Sequence, residues 1–220
     1  MQSNSSTTSR LIIFDMDGTL FNTETAFIPA VQEFVTRYGL PVPDREFSLH
    51  FCGEPIHVFI DWIAGLKIDR PLGDLIAEFD VIELEMTEQR GELYDKIPAV
   101  LDYLHQQGYR LAICSNGTER YISRVISRFQ LGSYFSDIAL PRFKGETKSM
   151  LIAGLLKDIH PEFAVMIGDR KHDFLAAKEN GIPSIGMRYG YGGDELLLAD
   201  YLAEEPLVIP ALLLLLEEKR

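Results

Sequence analysis

The chain has 220 residues, 46% hydrophobic and 25% charged, the profile of an ordinary globular protein; a fibre, a disordered chain and a disulfide-stapled miniprotein are excluded. Lys and Arg total 21 against 33 Asp and Glu, a net charge of -12, so the chain repels nucleic acid and anionic membranes, and neither is expected as a partner. A phosphorylated ligand must then be attracted locally, by a metal ion, one or two cationic side chains, or backbone N–H groups. Cys52 and Cys114 are too few for a disulfide framework and read as reduced thiols of a cytoplasmic protein. Residues 1–10 are polar and Ser/Thr-rich, a loose tail without the apolar stretch of a signal peptide. The longest apolar run, residues 207–216, is broken by Pro210 and too short to span a bilayer.

In chain order, residues 11–14 (LIIF) form a short continuous apolar run ending at Asp15, as expected of a strand buried on both faces of a parallel sheet. From about Thr23 to Gly91 no convincing strand occurs. Phe27, Val31, Phe34, Val35 and Tyr38 make one helical stripe, stopped by Gly39 and Pro41. A helix follows around residues 56–63, and Leu72, Ile76, Phe79, Ile82 and Met86 make another stripe. Residues 23–91 therefore read as an inserted helical domain, with residues 1–22 and 92–220 forming an α/β core. In that core, helices over 99–107, 118–129, 148–156 and 173–180 alternate with strands over 109–114, 135–140, 163–167 and 183–187. This alternation predicts a doubly wound, Rossmann-like parallel sheet covered on both faces.

The sharpest chemical signal is Phe14-Asp15-Met16-Asp17-Gly18-Thr19-Leu20. Positions two apart on an extended chain point the same way, so Asp15 and Asp17 are expected to address one pocket. Paired ionised carboxylates need a shared proton or a cation, and a hard divalent ion such as Mg²⁺ suits oxygen ligands. Gly168-Asp169-Arg170-Lys171-His172-Asp173 again places carboxylates past the end of a buried strand, and Ser115-Asn116-Gly117 ends a third. In an open α/β sheet, ligands bind outside the carboxyl ends of the strands, where strand order reverses. Helix capping explains Asp169, Asp173 or Ser115 singly but not all three strand ends together. The Ser115 hydroxyl and the N–H groups after it suit a phosphate oxygen. Lys144 and Lys148 compete as the accompanying cation.

These elements, in this order, resemble the haloacid dehalogenase superfamily, most closely its phosphoglycolate-phosphatase-like branch with a small α-helical cap. The likeness runs from Leu11 to about Asp200. It implies a Mg²⁺-dependent phosphatase acting on a small phosphorylated metabolite, with phosphoglycolate the leading guess, in a monomer or homodimer. It implies Asp15 as the nucleophile that becomes an aspartyl-phosphate and Asp17 as general acid and base. Ser115 and Asn116 would bind the phosphoryl group, with Thr19 and Gly53 also on the substrate. Lys148 would neutralise charge. Asp15, Asp17 (through its backbone carbonyl), Asp169 and Asp173 would form the metal site. Two departures stand out: Lys148-Ser149 replaces the usual Lys-Pro, which keeps Lys144 as a rival, and Asn22 stands where an Asp is common. The alternatives are a sugar-phosphate mutase of the β-phosphoglucomutase type, or a nucleotide or sugar-phosphate phosphatase. A mutase typically has basic cap-loop residues, and after Gly53 none occurs before Lys67. A dehalogenase needs no acid two residues after its nucleophile. A non-catalytic module would lack part of the set, and a receiver domain is far shorter and has no cap.

Three further features have simpler readings. Trp62, with Phe51, Phe59 and Leu66, reads as cap core. His57 and His172 read as surface residues, and Tyr189-Gly190-Tyr191-Gly192-Gly193 as a flexible turn. The loop Phe51-Cys52-Gly53-Glu54-Pro55-Ile56-His57 is expected to make a tight turn facing the catalytic aspartates, offering an acid and a histidine but no guanidinium.

Overall fold

The computed structural model describes residues 9–219, so most of the expected N-terminal tail lies outside the described residues, and its last member, Arg10, already belongs to the first strand. Strands β1 (Arg10–Phe14), β2 (Arg110–Cys114), β3 (Phe135–Ala139), β4 (Phe163–Gly168), β5 (Ser184–Met187) and β6 (Tyr201–Ala203) form one parallel sheet in the order β3-β2-β1-β4-β5-β6. The chain steps outward from β1 to β3 and then returns to place β4 beside β1. The order therefore reverses between β1 and β4, and the carboxyl ends of those two strands abut.

Helices α1 (Glu24–Arg37), α2 (Arg45–Leu49), α3 (Ile56–Gly65) and α4 (Leu72–Arg90) follow β1; α5 (Ile97–Gln106), α6 (Glu119–Arg128), α7 (Lys148–Ile159), α8 (Lys171–Glu179) and α9 (Ile209–Glu218) flank the sheet. Strand alternation sends Ile12, Phe14, Leu111, Ile113, Val165 and Ile167 against α5, α6 and α9. Leu11, Ile13, Ala112, Cys114, Ala164 and Met166 face α7 and α8 on the other side. This two-sided burial explains why these strands read as unbroken apolar runs.

The inserted helices pack around their own cluster, in which Phe27, Val31, Phe34 and Val35 of α1 meet Phe59 and Ile63 of α3 and Leu75, Phe79 and Ile82 of α4. Trp62 packs against this cluster, as expected. Leu72 does not join it and is exposed, because the inward stripe of α4 runs through Leu75 instead. The two chain crossings lie side by side: Asn22 N–H donates to the Glu92 carbonyl (2.9 Å) and Phe21 bridges Leu93.

Three elements carry no sequence signal of their own. β6 is a three-residue edge strand, and α2 is a short helix capped by Asp44, whose carboxylate accepts from Phe47 N–H (2.7 Å). In α9 the apolar residues leave no clear face, and Pro210 lies in the first turn, where a missing N–H costs nothing, so it starts the helix rather than breaking it. Among the described residues no helix is long and apolar enough to cross a membrane.

Candidate active site

The site is built at the β1/β4 reversal. Asp15 leaves β1 still tied to its neighbour, its N–H donating to the Ile167 carbonyl (2.9 Å). Its Oδ1 accepts from Met16 N–H at 2.8 Å. Lys148, the first residue of α7 after the Thr147 cap, reaches between two carboxylates: its Nζ is 2.6 Å from Asp173 Oδ1 and 3.0 Å from Asp15 Oδ2. The Asp15 contact lacks the alignment of a hydrogen bond, so Oδ2 is buried without one. The other Asp173 oxygen, Oδ2, accepts the N–H groups of Asp169 (3.1 Å) and Arg170 (3.0 Å) and closes the N-terminus of α8. Lys144, the rival lysine, is exposed.

Asp169 hangs from the end of β4 with Oδ2 accepting Tyr191 N–H at 2.6 Å, while Oδ1 is buried without a partner. Carboxylate oxygens of Asp15, Asp169 and Asp173 lie within 4.8 Å of one another. Burial drives the Asp15 carboxyl up to about 8; Lys148 opposes the rise, and Asp173 and Asp17 add to it. Burial, then Asp173 and Asp15, also raise Asp169 well above the ordinary range. For Lys148, burial works against the charge, but Asp15 and Asp173 outweigh it and keep the ammonium protonated. Two orphaned carboxylate oxygens in a buried, acid-rich cluster are the donor set that a hard divalent cation fits.

Asp17 departs from its expected orientation. The extended chain ends at Phe14, and a tight turn follows in which the N–H groups of Leu20 and Phe21 both donate to the Met16 carbonyl, so alternation no longer applies. The Asp17 carboxylate lies outside the three-aspartate group. Its Oδ1 accepts from Thr23 Oγ1 and from the Tyr121 hydroxyl, each at 2.6 Å. Burial raises this carboxyl, and those two hydrogen bonds only moderate the rise.

Ser115 is buried at the end of β2, and its Oγ accepts from Gly117 N–H (3.1 Å), while Thr118 caps α6, so capping does not account for the serine. Asn116 donates to the Gly53 carbonyl (3.1 Å), linking the β2 end to the cap loop. Gly53 has φ +78° and makes the expected tight turn. Thr19 is fully buried with its hydroxyl unpartnered.

The sequence matches the haloacid dehalogenase-like hydrolase family over residues 12–187. The chain belongs to that family. It is 27% identical over 194 residues to a phosphoglycolate phosphatase of Pseudomonas putida, covering 84% of this chain and 71% of the relative. It is 27% identical over 187 residues to the tyrosine-protein kinase PtkA of Mycobacterium tuberculosis, covering 83% of this chain and 63% of that protein. A haloacid dehalogenase-like protein from Streptococcus pneumoniae shares the fold, with a TM-score of 0.80 at 24% identity over 93% of this chain and 98% of the other.

Two parts of the hydrolase's site were not legible as such. The 189–193 segment, read as a flexible turn, is a packed wall of the aspartate cluster. Tyr189 donates to the Thr19 carbonyl (2.7 Å), the Tyr191 hydroxyl accepts from Glu24 N–H (3.0 Å), and the Tyr189 and Tyr94 rings lie 4.3 Å apart. A Cβ on Gly190 would come within 2.3 Å of Asp169 Cβ and 2.5 Å of the Gly18 carbonyl, so only glycine allows this approach. The other is Arg170, buried between cap and core. Its guanidinium donates to the Cys52 carbonyl, to Glu54 Oε1 (2.6 Å) in the cap loop and to Glu195 Oε2 (2.8 Å) in the core. The guanidinium absent from the cap loop is thus supplied by the core, and it fixes the loop instead of facing a ligand. His172, read as a surface residue, is half-buried with Nε2 3.1 Å from Glu54 Oε2, whereas His57 is exposed. Burial would raise Glu54, but His172 and Arg170 bring it below the usual range. The one sequence cue to Arg170 is its place inside the Gly168–Asp173 motif.

Proposed function

We propose that the enzyme hydrolyses a small phosphomonoester through an aspartyl-phosphate on Asp15. The observation that carries this reading is the buried, unbonded Asp15 Oδ2, held 3.0 Å from Lys148 Nζ at the β1/β4 reversal. In the first step a new bond forms from a carboxylate oxygen of Asp15 to phosphorus as the ester P–O bond breaks. Asp17, whose carboxyl burial raises above its ordinary range, gives its proton to the departing alcohol. Both of its hydrogen bonds arrive on Oδ1, so Oδ2 is the atom that carries the proton. In the second step the same carboxylate takes a proton from the water that attacks phosphorus, the bond from phosphorus to the Asp15 oxygen breaks, and inorganic phosphate leaves with the Asp15 carboxylate restored.

The Ser115 hydroxyl, the Asn116 backbone and Lys148 would hold the phosphoryl oxygens, a task of positioning and charge neutralisation rather than covalent chemistry. Thr19 would support this pocket from below. Mg²⁺, held by Asp15, Asp169 and the Asp17 carbonyl with Asp173 in support, would neutralise the phosphate and orient it for in-line attack. The two buried thiols, Cys52 and Cys114, fit a reducing cytoplasm. Phosphoglycolate belongs on the substrate panel because relatives bear the name phosphoglycolate phosphatase.

The test is a panel of phosphomonoesters assayed with Mg²⁺ against wild type, Asp15→Asn and Asp17→Asn. Wild type should turn over at least one ester, Asp15→Asn none, and Asp17→Asn should be slower by ~10²–10⁴-fold. More than a trace of activity in Asp15→Asn would mean another group is the nucleophile.

A further inference from the structure

Beside Asp17 the cap and core enclose a cavity of about 210 Å³. Asp17 lines it, so on the reading above, on which this inference rests, an alcohol protonated by Asp17 departs into this space. The cavity is thus the leaving-group pocket, and its walls set substrate choice. Most of the wall is apolar, with the rings of Phe27, Phe51, Phe59 and Phe79 drawn from three segments of the cap.

Two carboxylates interrupt that wall. Ile76, Phe79, Asp80 and Glu83 of α4 all line the cavity, at the spacing of one helix face. An inward stripe that carries two acids breaks the pattern expected of a helix packed on a core, and such breaks gather at functional positions. Among the described residues, no hydrogen bond or ion pair engages the side chain of Asp80 or Glu83; Arg120 acts on Asp80 at longer range. Burial, with Asp17 and Asp80 adding to it, pushes the Glu83 carboxyl up to about 8. Both side chains are half-buried at the cavity wall, and a bound cation would give them the partner they lack.

Among the described residues lining the cavity there is no Lys, Arg or His, and Glu54 and Asp17 add two further acids. A carboxylate or second phosphate on the leaving group would find no cationic side chain to pair with there. An anionic group would have to lie in the outer cleft instead, towards the exposed Lys144 and Arg142.

We propose that the cavity accepts a leaving group bearing a positively charged nitrogen, so that the preferred substrate is the phosphate ester of a small amino alcohol. A cavity wall that combines aromatic rings with carboxylates suits a cation, for which the acids supply the countercharge.

The test compares kcat/KM, with Mg²⁺, for phosphocholine and phosphoethanolamine against phosphoglycolate and the neutral ester ethyl phosphate. One charge-assisted contact is worth on the order of tenfold or more, so at least one cationic ester should exceed both others by that factor. Glu83→Gln keeps the side-chain shape and should collapse the cationic-to-neutral ratio, mainly through KM. Phosphoglycolate or ethyl phosphate equalling the better cationic ester, or an unchanged ratio in Glu83→Gln, would overturn the proposal. Binding separates this from failure of the phosphatase reading. Trp62, whose ring lies 5.4 Å from Phe51 and 5.3 Å from Phe59, reports on the pocket by fluorescence. Phosphocholine should perturb it in Asp15→Asn protein and more weakly in Asp15→Asn/Glu83→Gln, whether or not any ester is hydrolysed. No response, or an equal response in both, would refute the cation site; no turnover of any ester alongside a Glu83-dependent response would refute only the phosphatase reading.

Discussion

Replacing Lys148 by Met should cost more stability than any exposed lysine, and the geometry says why. The ammonium is 3% exposed and lies 2.6 Å from Asp173 and 3.0 Å from Asp15. Methionine fills the same volume but removes the cation that faces both carboxylates. Asp173 keeps its two backbone N–H donors on Oδ2, but Oδ1 is left bare, and Asp15 loses the Lys148 cation that acts to lower its pKa. Removing one partner of a buried ion pair costs ~3–5 kcal/mol, a large share of the ~5–15 kcal/mol that holds a domain folded. The loss should grow with pH, because at low pH the abandoned carboxylates take up protons and escape the penalty. Chemical denaturation in chelator near neutral pH measures it, with exposed Lys144→Met as the control, expected within ~0.5 kcal/mol of wild type. The same two variants discriminate between the lysines in catalysis, where losing one group that stabilises the developing charge costs ~10²–10³-fold. A Lys148→Met protein as stable as the Lys144→Met control would refute the buried countercharge argument.

The acids of the cluster give a pH signature: Asp15 rises from 3.8 to about 8 on folding, and Asp17 and Asp169 move the same way. The folded chain then binds more protons than the unfolded one across that window, so metal-free protein should lose stability as pH rises from about 4 to about 8. Mg²⁺ should raise the Tm more at the upper end than at the lower, and a pH-independent increment would contradict the assignment of the cluster as the cation site. Arg170→Met cuts the link between cap loop and core; hydrogen exchange at residues 52–54 should speed up and KM should rise, while unchanged exchange would show that the loop is held by other contacts. Gly190→Ala should weaken Mg²⁺ binding and cost ~1–3 kcal/mol through overpacking against Asp169. Gly154→Ala, in an exposed turn of α7 with nothing within 4 Å of its Cβ, should instead gain up to ~1 kcal/mol. Equal effects of the two substitutions in calorimetry would rule out the close approach as the cause.

By itself the sequence determined the α/β core, the helical insertion and the strand ends that carry Asp15, Ser115 and Asp169. Each of these is a local pattern: a doubly buried strand is an unbroken apolar run, a helix repeats every third or fourth residue, and a functional strand end is a polar motif at the close of such a run. The edge strand β6 and the helix α9 escaped because one is too short for a period and the other is apolar without a clear face. Only the tertiary structure decided which way each side chain turned. Asp17 faces Thr23 and Tyr121 rather than Asp15, because the chain leaves the extended conformation between them and alternation fails there. Lys148 and Lys144 differ by four residues and one is buried while the other is exposed, because the Thr147 cap starts α7 at Lys148 and aims its side chain inward. Arg170 and the 189–193 segment acquire their roles from partners more than 20 residues away, Glu54 and Glu195 for the first, Asp169 and Thr19 for the second. Glu83 lies on an ordinary-looking helix until the cap closes over Asp17 and makes it the wall of a cavity. Contacts between residues distant in the chain leave no periodic trace in the sequence, so chemistry that depends on them becomes visible only once the fold has brought the segments together.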